Sequence, residues 1–228
     1  FLHRWGNHPV KRSHYRHTKR AIESIFDKQV GHVEDLLEVG CGPGVWTDTM
    51  LQHAKRVTLF DISEEMLKVA RNKYRDNPNI TAYVQGDYIE DAGRLTGKFD
   101  VIFSSRALEY MSDKRKMVML SHALLRTGGS LIIITKNPAW RDKKREGKHV
   151  DGNIQTDWIG WHRLAGLFRD EGFKQVSVNP VALGSYHAPF NNRLGILVSD
   201  LMAALRYQRA MRESYDSLSE SYLVYGKK

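Results

Sequence analysis

The segment LLEVGCGPG, residues 36–44, joins an apolar run to three glycines at alternate positions. A run of this kind predicts a buried β-strand, and a glycine turn directly after a strand lets a ligand approach the backbone closely. The next apolar run ends in the carboxylate of Asp61, 17 residues after Gly44. A carboxylate in that place can accept hydrogen bonds from the two hydroxyls of a ribose. The pair indicates a site for an adenosine-type cofactor.

Short β-type runs alternate with helical patterns along the rest of the chain, which predicts parallel strands joined by crossover helices. The predicted strands are residues 35–39, 57–60, 80–84, 99–104, 130–135, 173–178 and 221–225. The predicted helices are residues 15–26, 45–53, 64–74, 113–125 and 161–171. The fold class expected from this order is α/β, with an open sheet. No linker or repeat divides the chain, so a single domain over residues 1–228 is expected.

Composition narrows the kinds of protein this can be. No apolar run approaches the roughly 18 residues of a membrane span, and the polar, basic start does not resemble a secretory signal. The single cysteine, Cys41, excludes an internal disulfide and an all-cysteine metal cluster, so a reducing, cytoplasmic location is expected. The net charge of +9 is compatible with nucleic acid, anionic lipid or phosphorylated partners and selects none of them.

The glycine spacing also discriminates between cofactors. It reads G-x-G-x-G with Pro43 inserted, whereas a dinucleotide site reads G-x-G-x-x-G, and the Walker pattern is absent. The spelling LEVGCGPG, followed by DIS at residues 61–63 and by GD at residues 86–87, resembles the class I S-adenosylmethionine-dependent methyltransferases. The resemblance covers residues 35–136 and extends more loosely through LFRDEGF at residues 167–173.

This resemblance implies a Rossmann-like, mostly parallel sheet of seven strands with helices on both faces. It also implies S-adenosyl-L-methionine as the cofactor, with no metal. In such a site the backbone at Gly40 and Gly42 would lie against the methionine part of the cofactor, with Glu38 supporting the loop. Ser104, at the end of the fourth strand, would lie near the methionine ammonium and the reaction centre.

The adenosine part of the cofactor would be held by residues after the second and third strands. By the same resemblance, Asp61 would bind the ribose and Ile62 would pack on the adenine. Asp87 would accept a hydrogen bond from the adenine amino group, with Gly86 and Tyr88 beside it.

The acceptor class is suggested by SSRALEYM at residues 104–111, which resembles a segment of the small-molecule methyltransferases. The N/D/S-P-P-Y/F/W signature of base-amino methyltransferases is absent there. Pyrimidine C5 methylation needs a cysteine nucleophile, and Cys41 already lies in the glycine turn. We therefore predict a small-molecule acceptor, methylated at oxygen, with a nitrogen acceptor as the next alternative.

Residues 186–217 form an insertion between the last two predicted strands. Its apolar residues recur at helical spacing, which predicts either a helical lid over the acceptor pocket or a helix packed on the domain. A lid flanked by arginines would suit a lipid-like, aromatic or isoprenoid acceptor and contact with a membrane surface. Residues 1–30 are expected to form an N-terminal cap on the other side of the pocket.

Transfer to a hydroxyl requires removal of its proton, a task that histidine can perform near neutral pH. His187, beside Tyr186 in the insertion, is the first candidate for the catalytic base, ahead of His162 and His149. The side chains expected to contact the acceptor are Tyr15, Tyr110, His162 and Tyr186.

Two further functions stay open at this point. The charge of +9 suggests an RNA methyltransferase as one alternative. Aromatic base-stacking signatures are missing from the basic stretches, and their absence disfavours a nucleic-acid partner. The other is a non-catalytic, cofactor-binding partner subunit of another methyltransferase.

Overall fold

The computed structural model describes residues 9–140, 146–151, 154–182, 197 and 218–228. Its α-helices are α1 (Pro9–Ile25), α2 (Thr47–Met50), α3 (Glu64–Lys73), α4 (Tyr88–Asp91), α5 (Lys114–Leu124) and α6 (Trp161–Asp170). Its strands are β1 (Val33–Val39), β2 (Ala54–Asp61), β3 (Ile80–Gln85), β4 (Phe99–Ser105), β5 (Leu125–Lys136), β6 (Gly147–Asp151), β7 (Ile154–Trp158), β8 (Lys174–Pro180) and β9 (Ser221–Lys227). A π-helical turn (Phe26–Val30) follows α1, and short 3₁₀ turns lie at Ala92–Arg94 and Leu108–Tyr110.

Seven strands form one sheet in the order β3-β2-β1-β4-β5-β9-β8. The pairs among β1 to β5 are parallel, and β9 runs antiparallel to both of its neighbours. This confirms the predicted mostly parallel sheet of the class I methyltransferase fold. The chain moves outward from β1 through β2 to β3 and then crosses to β4 on the other side. The switch point where such folds bind ligands therefore lies at the carboxyl ends of β1 and β4.

Strand β1 contributes side chains to two separate hydrophobic clusters, because successive side chains of a strand point to opposite faces of the sheet. Leu37 packs in the cluster that includes Met117 of α5 and Phe168 of α6. Leu36 packs in the cluster that includes Ile22 of α1 and Leu67 of α3. Helices therefore cover both faces, as the alternating sequence pattern predicted, and the sheet edge at the strands' carboxyl ends is left for a site.

Three of the differences between the observed and the predicted elements have a clear local cause. The helix predicted at residues 45–53 is only the single turn α2, since the glycine turn ahead of it continues through residue 46. The helix predicted at residues 15–26 begins earlier, at Pro9, where proline is tolerated in a first turn. The hairpin of β6 and β7 was not predicted, because its sequence is largely polar and charged.

Among the described residues, no helix combines the length and the apolar character that crossing a bilayer would need. The predicted lid, residues 186–217, lies outside the described residues apart from Leu197.

Candidate active site

A cleft of about 580 Å³ opens at the carboxyl ends of the parallel strands. Its floor is the turn after β1 and the ends of β2 and β4, and α1 contributes residues to one wall. The register places Val39 beside Phe60 on one side and Ser104 on the other, so the segments following these three strands emerge together. The sheet thus gathers the motifs that the sequence separates by up to 70 residues.

The glycine turn has a different requirement at each of its first two glycines. Gly40 has φ of +72°, and a Cβ there would lie 2.3 Å from the Cβ of Ala107, so a side chain is excluded by packing. Gly42 has φ of +54°, lines the cleft, and would have no atom within 4 Å of a Cβ. The open space at Gly42 is therefore room for a ligand against the backbone.

Asp61, at the end of β2, is held at both carboxylate oxygens. Oδ2 accepts a hydrogen bond from the Gly42 N–H at 2.7 Å, and Oδ1 accepts one from the Ser63 N–H at 2.9 Å. The side chain lines the cleft although only 8% of the residue is exposed. Each carboxylate oxygen can accept a second hydrogen bond, so the group is oriented and still able to bind a hydroxyl pair.

Glu38 lies beneath the turn, and it is not one of the residues lining the cleft. Its Oε2 accepts a 2.7 Å hydrogen bond from Oγ1 of Thr47, the first residue of α2. Burial raises the pKa of Glu38 from 4.5 to about 8. The residue ties β1 to the first turn of α2, a contact from behind the loop.

The residues after β2 and β3 form the other end of the cleft. Ile62 is 65% exposed there, unusual for a large apolar side chain, and Gly86 lines the same cleft. Asp87 caps α4 by accepting from the Ile89 N–H at 2.8 Å. Tyr88 also lines the cleft but is buried, with its hydroxyl 3.0 Å from Ser121 Oγ.

At the end of β4 the cleft is lined by Ser105 and not by the predicted Ser104. Ser104 is fully buried and does not line the cleft, whereas Ser105 and Arg106 do. The Oγ atoms of both serines are buried and have no hydrogen-bond partner among the described residues. Ser105 was missed because the prediction fixed the strand end one residue early, and a shift of one residue moves a side chain to the other face.

The predicted acceptor-binding residues are not all brought together. Tyr110 lines the cleft and is 60% exposed. Tyr15 lies outside it, stacked on Trp46 at 4.9 Å between ring centroids, and it is Trp46 that lines the cleft. His162 is exposed on α6, stacked on Trp161, and does not reach the cleft. Tyr186 and His187 lie outside the described residues, as does the side chain of His149.

A histidine and a carboxylate that sequence reasoning overlooked line the cleft together. Nδ1 of His14 on α1 lies 2.6 Å from Oε2 of Glu220, which directly precedes β9. Burial opposes ionisation of Glu220, but the hydrogen bond and charge of His14, with Arg106 and Lys136, lower its pKa to about 2. The available signal was helical spacing, because Lys11, His14 and Thr18 recur at i, i+3 and i+7 and all line the cleft.

Comparisons with known proteins give a domain match and similar sequences. Residues 36–129 match a family model described as a methyltransferase domain. A ubiquinone biosynthesis O-methyltransferase from Erwinia tasmaniensis is 33% identical over 113 residues, which are 50% of this chain and 44% of that protein. The alignment thus spans less than half the length of this curated relative.

Solved structures extend the likeness in fold over nearly the whole chain. An S-adenosylmethionine-dependent methyltransferase from Mesorhizobium loti has a TM-score of 0.63 at 21% identity, covering 92% of this chain and 96% of that one. The N-methyltransferase NodS from Bradyrhizobium japonicum, in complex with S-adenosyl-L-homocysteine, has a TM-score of 0.66 at 18% identity, covering 99% and 90%. At these identities the likeness shows the fold alone.

Proposed function

Since residues 36–129 belong to the class I S-adenosylmethionine-dependent methyltransferases, we propose that the protein transfers a methyl group from S-adenosylmethionine to an oxygen atom of a small molecule. The observation that carries the proposal is the position of the Asp61 carboxylate. One carboxylate fixes the glycine turn through Gly42 and faces the cleft at the end of β2. No pyrophosphate-binding G-x-G-x-x-G turn accompanies it.

The residues present suit this cofactor. Asp61 would bind the ribose hydroxyls, the exposed face of Ile62 would pack on the adenine, and Asp87 would accept from the adenine amino group. Two features call for a ligand: the open space at Gly42 and the buried Oγ of Ser105, which has no partner among the residues that the structure describes. The methionine part of the cofactor would fill the space at Gly42, and its ammonium group would donate a hydrogen bond to Oγ of Ser105. When bound, the cofactor supplies an electrophilic methyl group on a sulfonium.

The acceptor side of the cleft supports a small aromatic acceptor. Trp46, Tyr110, Met111 and Ile134 line it and present ring and aliphatic surface, which is the usual lining of a small-molecule site. An oxygen acceptor is favoured over nitrogen or RNA by the O-methyltransferase relative, whose similarity covers half of this chain. The intact glycine turn and Asp61 speak against a partner subunit without activity of its own.

Two measurements test the proposal. Calorimetry should show binding of S-adenosylmethionine and S-adenosylhomocysteine, with no comparable binding of NAD. Transfer of labelled methyl groups should then be followed with three acceptor pools: catechols and other phenols, amines, and RNA. Labelling of the phenol pool alone supports the proposal. Tight NAD binding with no S-adenosylhomocysteine binding would overturn it.

Finer parts of the assignment belong to the same proposal. We place the protein in the cytoplasm, where its single thiol, on the buried Cys41, would stay reduced. We keep residues 1–228 as a single domain, with residues 186–217 as the lid and as the segment that touches a membrane surface. Leu197, within that segment, is 65% exposed. Sedimentation with lipid vesicles, measured for the wild type and for Leu197→Ser, tests the membrane contact. If the contact exists, less of the variant should sediment with the vesicles.

A further inference from the structure

The pair of His14 and Glu220 lies in the wall of the cleft, on segments outside the glycine turn and Asp61. Their side chains are only 7% and 14% exposed, yet both line the cleft. We propose that His14, held by Glu220, is the general base that removes the proton from a phenolic hydroxyl of the acceptor. The inference rests on the proposed function and gives its acceptor a chemical class.

The backbone around Glu220 fixes this carboxylate. The Glu220 N–H donates to the Ala182 carbonyl at 2.8 Å, and the Asn137 N–H donates to the Glu220 carbonyl at 2.8 Å. Glu220 is thereby anchored to the segments that follow β8 and β5. With Oε2 at 2.6 Å, Nδ1 of His14 carries the proton that it donates to the carboxylate. The basic lone pair of a neutral imidazole paired in this way is on Nε2.

Charged groups from three of the described elements line the cleft with this pair. Lys11 belongs to the same helix, Arg106 follows β4, and Lys136 ends β5, and all three line the cleft. Arg106 is held in place by Glu109, whose Oε1 accepts from its Nε at 2.8 Å. The cations favour an oxygen that becomes negative during transfer. The arrangement therefore promotes proton transfer from the acceptor to His14.

The acidity of the acceptor hydroxyl favours a phenol. A phenolic hydroxyl has a pKa of about 10 and an imidazole of about 6.5, a gap that nearby cations and simultaneous transfer can bridge. A hydroxyl as weakly acidic as water, with a pKa of about 15.7, gives up its proton to an imidazole less readily than a phenol does. During methyl transfer the hydroxyl proton passes to Nε2 of His14, and the acceptor oxygen bonds to the methyl carbon. The carbon–sulfur bond breaks with its electron pair on sulfur, which leaves a neutral thioether, and the proton then passes to water.

The test compares His14→Gln with two histidine controls, using catechol as the probe acceptor. His14→Gln should lower kcat at pH 7 by about 10²- to 10⁴-fold, the usual contribution of a general base, with unchanged S-adenosylhomocysteine affinity. His32→Gln, at an exposed position away from the cleft, should retain wild-type kcat. His187→Gln tests the histidine that the sequence favoured, and a loss there with full activity in His14→Gln would overturn the proposal.

Acceptor acidity gives a readout that misfolding would not produce. With 4-nitrocatechol, which ionises near neutral pH, the defect of His14→Gln should shrink at least tenfold, because the acceptor needs no base. An equal defect with both acceptors would overturn the proposal. Glu220→Gln should lower kcat with catechol and leave S-adenosylhomocysteine affinity unchanged, because Nδ1 of His14 loses the carboxylate that accepts its proton, and Glu220→Asp should partly restore kcat.

The outcome also separates this inference from the proposed function. If the wild type binds S-adenosylhomocysteine and methylates amines or RNA but not catechol, the phenolic acceptor and the role of His14 are wrong while methyl transfer stands. If the wild type binds no S-adenosylhomocysteine, the proposed function itself is wrong. A ¹⁵N spectrum of His14 provides a reading independent of activity. It should show the Nδ1–H tautomer in the wild type, and a mixture of tautomers in its neutral form would overturn the proposal.

Discussion

The backbone N–H of Gly42 donates a 2.7 Å hydrogen bond to Oδ2 of Asp61, so the turn after β1 and the end of β2 are joined directly. The Ser63 N–H holds the other carboxylate oxygen at 2.9 Å. A carboxylate that accepts two backbone hydrogen bonds is oriented before any ligand arrives, which lowers the cost of ordering the site on binding. The residue proposed to bind the ribose is thus also the residue that shapes the glycine turn.

Asp61→Ala should therefore affect both binding and stability. Affinity for S-adenosylhomocysteine should fall by about 1.5 to 3 kcal/mol, the range for hydrogen bonds to a charged group. The free energy of unfolding should also fall by about 1 to 3 kcal/mol, because two N–H groups lose their acceptor. Calorimetry and urea unfolding measure the two effects. Asp76→Ala, at an exposed position off the cleft, is the matched control, and unchanged affinity in a folded Asp61→Ala would place the ribose elsewhere.

The two glycines of the turn should respond differently to alanine. Gly42→Ala adds a methyl group in open space, so the main stability cost is the left-handed φ, about 1 to 2 kcal/mol, and cofactor binding should be lost. Gly40→Ala adds a clash with Ala107 at 2.3 Å and should be the less stable of the two. Thermal unfolding and calorimetry distinguish them.

Gly128→Ala supplies the control for backbone strain alone. Gly128 has φ of +81° with nothing within 4 Å of a Cβ. It lies near the start of β5, at the end of that strand away from the cleft. Its alanine variant should lose stability and keep full cofactor affinity. Equal losses of affinity in Gly42→Ala and Gly128→Ala would mean that the open space at Gly42 binds no ligand.

The succession of strands along the chain and several residues that line the cleft could be predicted from the sequence, because their signals are local. A buried parallel strand reads as a short apolar run, and its terminal carboxylate or glycine turn comes next along the chain. Gly40, Gly42, Asp61, Ile62 and Asp87 line the cleft for this reason. Ser105 escaped prediction because its identification depends on the last residue of β4, and element boundaries are poorly specified by sequence.

Of the wall proposed for the acceptor, the sequence predicted Tyr110 but not His14 and Glu220, because these two come from distant segments. His14 and Glu220 are separated by 206 positions and meet only after α1 and β9 take their places against the sheet. Neither residue lies in a recognisable motif, and a histidine on a basic amphipathic helix reads as a solvated face. His187 was preferred since it lies in the insertion, a choice based on position along the chain rather than on a partner.

Burial of Glu38 predicts a pH dependence of stability. The pKa of Glu38 is raised to about 8, so between about 4.5 and 8 the folded chain binds more protons at this site than the unfolded chain. Stability contributed by Glu38 is then present below the unfolded pKa and lost as pH rises through the folded pKa. Glu38→Gln stays neutral and can still accept from Thr47, so its stability relative to wild type should increase from pH 5 to pH 8.

Urea unfolding of both proteins at several pH values measures this difference, and the slope is at most about 1.4 kcal/mol per pH unit for one proton. Taking the difference between the two proteins removes the contributions of groups that titrate in both, such as His53 and His122, whose pKa values burial lowers. A difference that stays constant from pH 5 to pH 8 would show that Glu38 is ionised beneath the turn.

Ser104 and Ser105 provide the closing test of which face of β4 meets the ligand. Both hydroxyls are buried without a partner among the described residues, an arrangement that costs free energy in the unliganded protein. Ser104→Ala should therefore raise the melting temperature and leave S-adenosylhomocysteine affinity unchanged, because Ser104 does not line the cleft. Ser105→Ala should also raise the melting temperature of the free protein but weaken S-adenosylhomocysteine binding by about 0.5 to 1.5 kcal/mol, the net value of one hydrogen bond. Calorimetry on the two variants side by side checks this, since they differ by one position and remove the same group. Weaker binding in Ser104→Ala with no change in Ser105→Ala would restore the serine that the sequence predicted and place the methionine end of the cofactor on the other face of the strand.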